Sequence, residues 1–234
     1  MRKRIAIKPP FFEIGPKNYL FGDEVLELAL AADEVSEKYD VDVLFTTPYA
    51  DIRMVSEKTE NIHVFAPHMD CDPIGLGLAN VLPESMKAAG AVGVMLNHTE
   101  RPLSFEALSD TMARAGELNL ITNVCADSVE EIQNIARLNP FIITAEPAEL
   151  IALRTGVDLD YATKACESIK AINPDIYVLI GAGIKDGSDV YNAIMAGADA
   201  SGSSSGIIKA QNPVSMINEM VGAARQAWND RSQQ

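Results

Sequence analysis

Three side chains that can carry or balance a proton stand directly after short apolar segments of this chain. Lys8 follows RIAI, His98 follows GVMLN, and Glu146 follows FIITA. A carboxylate can remove a proton from a carbon beside a carbonyl, while imidazole and ammonium groups stabilise charge developing on the oxygen. Each could instead be a solvated rim charge or a structural hydrogen-bonding group, so a site requires a fold that brings the three together.

Two glycine- and serine-rich turns follow the last two apolar segments, GAGI at 181–184 and SSSG at 203–206. Backbone N–H groups at such turns bind phosphate without arginine. This matters because the chain has a formal net charge of −14, which repels anions at long range. A glycine turn alone is weak support for a site, but these turns and the three side chains suit proton transfer beside a phosphate.

Apolar segments alternate with amphipathic ones along the chain. The apolar runs are continuous rather than alternating, as is typical of parallel strands covered on both faces. Predicted strands occupy 4–7, 41–47, 62–67, 93–98, 120–126, 141–147, 176–183 and 198–203. Predicted helices occupy 23–38, 83–90, 104–116, 128–138, 160–172, 187–196 and 213–230.

Eight strand units in 234 residues favour a single-domain (β/α)8 barrel over 1–234. The alternative is an open doubly wound sheet, but the first βα turn lacks GxGxxG and the strands continue past six. In a barrel, the carboxyl ends of all strands meet at one face. We therefore expect Lys8, His98, Glu146 and both glycine turns to surround one pocket.

Composition narrows the possible partners and location. The acidic balance disfavours nucleic acid and anionic membranes. The three cysteines are odd in number and widely spaced, which favours a reducing compartment. No apolar run approaches the roughly 20 residues of a membrane span. We expect a cytoplasmic protein with no nucleic-acid or membrane partner.

Several segments resemble the triosephosphate isomerase family, particularly its short archaeal-type branch, and occur in the family's order. They are NHTERPLS (97–104), TAEPAELI (144–151), GAGIKDGSDV (181–190) and SSSGIIKAQNP (203–213). The resemblance implies an α/β TIM barrel and an aldose–ketose isomerase for glyceraldehyde 3-phosphate and dihydroxyacetone phosphate, working through an enediolate. It also implies a small sugar phosphate as the substrate, no metal or organic cofactor, and a homo-oligomer, dimer or tetramer.

The resemblance also assigns catalytic roles to individual residues. His98 would be the neutral electrophile, Glu146 the base and Lys8 the cation opposite the substrate oxygens. Glu100 would be the carboxylate behind them, and Arg101 a structural partner of the loop.

A phosphate site and a lid follow from the same resemblance. Gly183, Ser205, Gly206 and Ala152 would hold the phosphate through the backbone, and 147–156 would close over the intermediate.

Three departures from the family leave other functions open. The family has asparagine two positions before its strand-1 lysine, where this alignment places Ala6. Leu78 stands at a threonine of the third loop, and Ala152 at a glycine of the lid. An altered substrate such as a tetrulose phosphate, or a non-catalytic phosphosugar-binding protein, are therefore alternatives.

A metal-dependent aldolase or epimerase on the same barrel is a further, weaker alternative. His68, Asp70 and Asp72 would be its ligands, although HMDCD fits no closed metal pattern.

Overall fold

The computed structural model describes residues 7–75, 77–148 and 156–233. The predicted strand at 4–7 lies outside this range apart from Ile7. Ala6, Ala152 and most of the predicted lid also lie outside the described residues.

Eight parallel strands in the described part of the chain close into a barrel. Each strand pairs with the next in sequence, and β8 returns to β1. They are β1 Phe11–Ile14, β2 Asp42–Thr46, β3 Ile62–Ala66, β4 Gly93–Leu96, β5 Ile121–Ala126, β6 Ile142–Ala145, β7 Tyr177–Ile180 and β8 Ala200–Ser203. The predicted (β/α)8 TIM barrel is confirmed.

Helices surround the barrel in the order that the sequence predicts. They are α1 Asp23–Tyr39, α2 Ile52–Lys58, α3 Pro83–Ala89, α4 Phe105–Glu117, α5 Val129–Ala136, α6 Leu159–Ile172, α7 Gly187–Met195, α8 Ser205–Ile208 and α9 Pro213–Arg231. The short α2 and α8 were not predicted. Of the helices described, none is long and apolar enough to cross a membrane.

Local capping chemistry sets several helix boundaries. Ser104 Oγ accepts a hydrogen bond from the Ala107 N–H at the start of α4, and Ser128 does the same for Glu131 at the start of α5. Both satisfy a backbone donor that a helix N-terminus leaves unpaired. At the end of α3, Gly90 adopts φ 114°, a left-handed conformation that glycine reaches without a steric penalty.

The first strand differs from the prediction. It is FFEI at Phe11–Ile14, paired in register with β2 on one side and β8 on the other. Lys8 therefore precedes the amino end of β1, where its backbone N–H donates to Asp42 Oδ2 at 2.7 Å and its side chain is exposed. Lys8 lies at the opposite end of the barrel from the carboxyl ends of the strands, so its predicted place in the site is wrong.

Apolar side chains fill the amino-terminal part of the barrel interior. The cluster contains Ile7, Phe11, Leu44, Phe65, Ile142, Leu179 and Ala200. A second, larger cluster packs the outward side chains of the strands against the helices. These side chains fill the interior near the amino ends of the strands, so a ligand would enter from the carboxyl ends, as in other barrels of this type.

Candidate active site

A cavity of about 350 Å³ opens at the carboxyl ends of the strands. We call this opening the barrel mouth. His98, Glu146, Gly183 and Ser205 line it, together with Lys17. Glu100 lines it as well, so the structure gathers five of the predicted site residues, from the loops after β4, β6, β7 and β8, around one space.

His98 is held as one tautomer by its own loop. Its Nδ1 accepts a hydrogen bond from the Glu100 backbone N–H at 3.1 Å. A ring nitrogen that accepts carries no proton, so the neutral imidazole bears its proton on Nε2. Nε2 lies 3.5 Å from Glu146 Oε1. The ring therefore presents an N–H donor to the barrel mouth.

Asn97 fixes the loop that carries His98. Its side chain donates to the Cys125 carbonyl at 3.0 Å and to Glu131 Oε1 at 2.9 Å, and accepts from the Leu103 N–H at 2.9 Å. Its φ of 58° is one that asparagine tolerates better than most side chains. Three hydrogen bonds on one side chain thus set the direction in which His98 leaves β4.

Glu146 follows β6, and its backbone N–H donates to the Ala126 carbonyl at 2.9 Å. Burial raises the pKa of its carboxyl, while the neighbouring His98, the thiol of Cys125 and Lys17 act in the opposite direction. Within the described residues, Oε1 has no hydrogen-bond partner. A desolvated carboxylate with a free oxygen is suited to accept a proton from a bound substrate.

Lys17 is a lysine of the site that was not predicted from the sequence. It follows β1, lines the barrel mouth, and its Nζ lies 3.2 Å from Glu100 Oε1. Glu100, whose side chain is 64% exposed, holds the lysine and also positions His98 through its backbone. The position two residues before the lysine is therefore Gly15, and not Ala6.

One signal in the sequence could have found Lys17. A first strand at 4–7 leaves a long connection before the helix at 23–38, whereas βα loops are usually two to six residues. The intervening FFEI run is rich in strand-forming aromatic residues. Its Glu13 interrupts the apolar character and concealed the strand.

The predicted phosphate-binding turns lie where the sequence placed them. Gly183 has φ 79°, and a side chain there would collide with the Gly156 carbonyl. Ser205 and Gly206 begin α8, and a side chain at 206 would meet Ser203 and the Ile184 carbonyl. Both glycines are required by close backbone approach. Ser204 Oγ, beside them, is buried without a hydrogen-bond partner in the described residues.

Glu13 is a second buried carboxyl in the barrel mouth, and the sequence analysis did not identify it. Its side chain points inward, and Thr46 Oγ1 donates a hydrogen bond to its Oε1 at 2.6 Å. Burial raises its pKa from 4.5 to about 7; proximity to Glu146 adds to this, whereas Thr46 and Lys17 oppose it. At neutral pH a large share of the molecules therefore carry a protonated Glu13.

The residues considered as metal ligands serve other contacts. His68 Nε2 lies 3.2 Å from Asp70 Oδ1, and Arg101 Nη2 lies 3.8 Å from the same oxygen. Asp72 accepts a hydrogen bond from Asn80 at 2.7 Å. Across 7–75, 77–148 and 156–233, no three His, Cys, Asp or Glu side chains are grouped as a metal ion would require.

A family model and several known proteins match this chain over most of its length. The family model described as Triosephosphate isomerase matches residues 17–220. A protein of Sulfolobus acidocaldarius named triosephosphate isomerase is 36% identical over 234 residues, covering 97% of this chain and 100% of the relative. Proteins of the same name from Saccharolobus solfataricus and Methanobacterium bryantii are 34% and 36% identical, covering 94% and 91% of this chain and 99% and 96% of each relative.

Replacing Glu13 with Gln should remove a pH dependence of folding stability. A pKa raised in the folded state means that stability is fully present below about pH 4.5 and falls as pH rises through about 7. At about 1.4 kcal/mol per pKa unit, complete ionisation lowers the free energy of unfolding by roughly 3 kcal/mol. Urea unfolding from about pH 5 to 8 should show the Gln variant gaining on the wild type. A difference that does not change with pH would contradict the raised pKa.

Proposed function

This chain belongs to the triosephosphate isomerase family, and on that premise we propose that its reaction takes place in the barrel mouth, with Glu146 as the base. The protein is an aldose–ketose isomerase that interconverts glyceraldehyde 3-phosphate and dihydroxyacetone phosphate. One observation carries the proposal for the site: the His98 Nε2–H and the free oxygen of Glu146 face each other at 3.5 Å beside Lys17.

Glu146 moves the proton between adjacent carbons. The carboxylate takes a proton from the hydroxyl-bearing carbon next to the carbonyl, which produces an enediolate, and returns it to the former carbonyl carbon. The hydroxyl proton moves to the former carbonyl oxygen, so that the new carbonyl forms at the neighbouring carbon. Burial in the barrel mouth makes the carboxylate a stronger base than it is in water, since it raises the pKa. The reaction needs no change of oxidation state outside the substrate.

His98 and Lys17 stabilise the oxygens of the intermediate. The Nε2–H of the neutral imidazole donates to an oxygen that gains negative charge, as is known for this family. The Lys17 ammonium lines the same cavity and balances the enediolate and phosphate charges. Glu100 keeps the ammonium in place through their 3.2 Å ion pair.

The substrate phosphate binds at the two glycine turns. Backbone N–H groups of Gly183, Ser205 and Gly206 donate to its oxygens, as the resemblance implies, and Ala152 takes part from the lid. Amide donors add no side-chain charge, which suits a chain with a net charge of −14. By the same resemblance, residues 147–156 would close over the intermediate and exclude water.

The protein works as a homo-oligomer through its third loop, which connects β3 to α3. Leu78 is fully exposed and Ile74 is 71% exposed in this loop, while Phe21 is 75% exposed. Large apolar side chains grouped on a loop are typical of an interface. Leu78 replaces the family's threonine, and Gly15 replaces the asparagine that this threonine supports across the interface, so the two changes remove both partners of one contact.

The cytoplasm is the compartment that fits the cysteines best. Cys71, Cys125 and Cys166 are all free, and the latter two are buried. A disulfide therefore contributes nothing to this fold, as expected for a reducing environment.

Replacing Glu146 with Gln should lower kcat by at least about a hundredfold, because the amide cannot accept the substrate proton. Binding of inorganic phosphate, measured by calorimetry, should persist. Glu27→Gln, at an exposed position of α1, is the matched control and should retain full turnover. Wild-type turnover in Glu146→Gln would remove this residue as the base.

Exchanging each of two lysines for methionine tests the corrected assignment. Lys17→Met should reduce kcat/KM by about a hundredfold, since it removes the ammonium group that balances the enediolate and phosphate charges. Lys8→Met should leave kcat/KM within about twofold, because that side chain is exposed at the far end of the barrel. Equal losses in both variants in a coupled spectrophotometric assay would refute the assignment.

Light scattering should show a species larger than the 25.2 kDa chain. Leu78→Asp should shift the protein towards the monomer, because it places a charge in an apolar interface. Val214→Asp, at another exposed apolar position, should not. A wild-type protein that stays monomeric at high concentration would contradict the oligomer.

A further inference from the structure

We propose that Glu13, as the neutral acid, is an additional substrate-binding group that donates a hydrogen bond to the oxygens at the reacting end of the triose. This inference rests on the proposed function, since it assigns a role within the same barrel mouth. Glu13 comes from the floor of the mouth, by which we mean the inward-facing residues directly above the apolar interior.

The position of Glu13 in the barrel directs it to this floor. It pairs in register with Leu44 of β2 and Gly202 of β8, and its side chain lines the same cavity as His98 and Glu146. The next inward residue below it on β1 is Phe11, which belongs to the apolar interior. Glu13 is therefore the polar side chain of β1 that lies nearest to the apolar interior and still lines the mouth.

Two glycines make room for the carboxyl. A Cβ at Gly15 would lie 3.1 Å from Glu13 Oε1, and a Cβ at Gly202 would lie 3.1 Å from Oε2. Contacts this short are tighter than ordinary van der Waals distances, so side chains at these positions would compete with Glu13 for space. The carboxyl of Glu13 thus lies directly beside the point where a side chain at position 15 would begin.

This placement bears on the missing asparagine of the family. With Lys17 as the strand-1 lysine, the asparagine position is Gly15, which has no side chain. A neutral carboxyl offers one O–H donor and one carbonyl acceptor, and an amide likewise offers a donor and an acceptor. Glu13 therefore supplies, from two residues earlier in β1, a polar group of the kind that position 15 has lost.

The hydrogen bond from Thr46 determines which oxygen can donate. Thr46 Oγ1 donates to Oε1 at 2.6 Å, so Oε1 is the acceptor and the proton of the neutral acid belongs on Oε2. Oε2 is the oxygen on the side of Gly202, and both residues line the cavity. The O–H is therefore not consumed by Thr46 and is available to a ligand.

The charges around Glu13 favour the neutral acid. Desolvation raises its pKa most, the negative charge of Glu146 raises it further, and Lys17 opposes both effects. The charge of Glu13 also raises the pKa of the Cys125 thiol. When two interacting carboxyls share a site, one holds its proton more tightly. A protonated Glu13 adds no negative charge beside Glu146 and so favours the ionised carboxylate that a base requires.

A dependence of activity on pH follows. Above about pH 7, Glu13 of the free enzyme ionises and places a negative charge beside a dianionic substrate and its enediolate. We expect kcat/KM for glyceraldehyde 3-phosphate to fall above this pH. The fall in kcat should come at higher pH, because bound substrate makes ionisation of Glu13 harder.

The test compares Glu13→Gln, Glu13→Leu and wild type in kcat and KM from about pH 6 to 9. Gln keeps a donor but cannot ionise, so near pH 6 its kcat/KM should stay within about threefold of wild type, and its alkaline decline should disappear. Leu fills the space without a donor, so it should lose about a hundredfold in kcat/KM near pH 6 and should also lack the alkaline decline. Glu27→Gln should keep the wild-type profile.

Thr46→Val provides a second measurement if Glu13→Leu fails to fold. The Thr46 hydroxyl lowers the pKa of Glu13, so its removal should move the alkaline decline to higher pH. An unchanged decline in both Glu13→Gln and Thr46→Val, or equal activity of Glu13→Gln and a folded Glu13→Leu, would overturn the inference while leaving the isomerase intact. A wild-type protein without isomerase activity would contradict the proposed function and this inference together.

Discussion

Closure of a parallel barrel is the constraint on which this site depends. The strands run in one direction, so the residues after them emerge at one end, however far apart they are in the chain. Lys17, His98 and Glu146 belong to the first, fourth and sixth units, yet they line one cavity. Local contacts then orient the side chains within the cavity. The backbone N–H of Glu100 selects the tautomer of His98, and the Glu100 side chain pairs with Lys17.

Several negative charges must coexist in this site. Two buried carboxyls, Glu13 and Glu146, and one lysine share a small space in a protein with a net charge of −14 that must accept a phosphate dianion. Two features of the molecule address this problem. Backbone amides at the glycine turns bind the phosphate without side-chain charge, and burial favours the neutral form of Glu13.

The fold was predictable from the sequence because parallel strands covered on both faces are continuous apolar runs. Strands β2 to β7 were placed correctly for that reason, whereas β8, whose sequence is ASGS, was placed by the even spacing of the units. His98 and Glu146 follow two of the apolar runs. The first strand was placed wrongly, because Glu13 breaks the apolar run of FFEI, and Lys8 next to RIAI resembled a strand-end cation. The buried role of Glu13 could not be predicted, since it depends on Gly15 and on Gly202, a residue almost two hundred positions away that only strand pairing brings near.

The central claim is that a carboxylate of the barrel mouth removes a carbon-bound proton from the substrate. It is tested most directly by incubating dihydroxyacetone phosphate with the protein in D2O and following the carbon-bound hydrogens by NMR. Proton transfer through Glu146 predicts that deuterium enters at the hydroxymethyl carbon, because an acid deuterated by solvent returns the isotope to the enediolate. Isomerisation over many turnovers without any incorporation of deuterium would contradict the account, since a carboxyl that exchanges its proton with solvent must leave some deuterium on carbon.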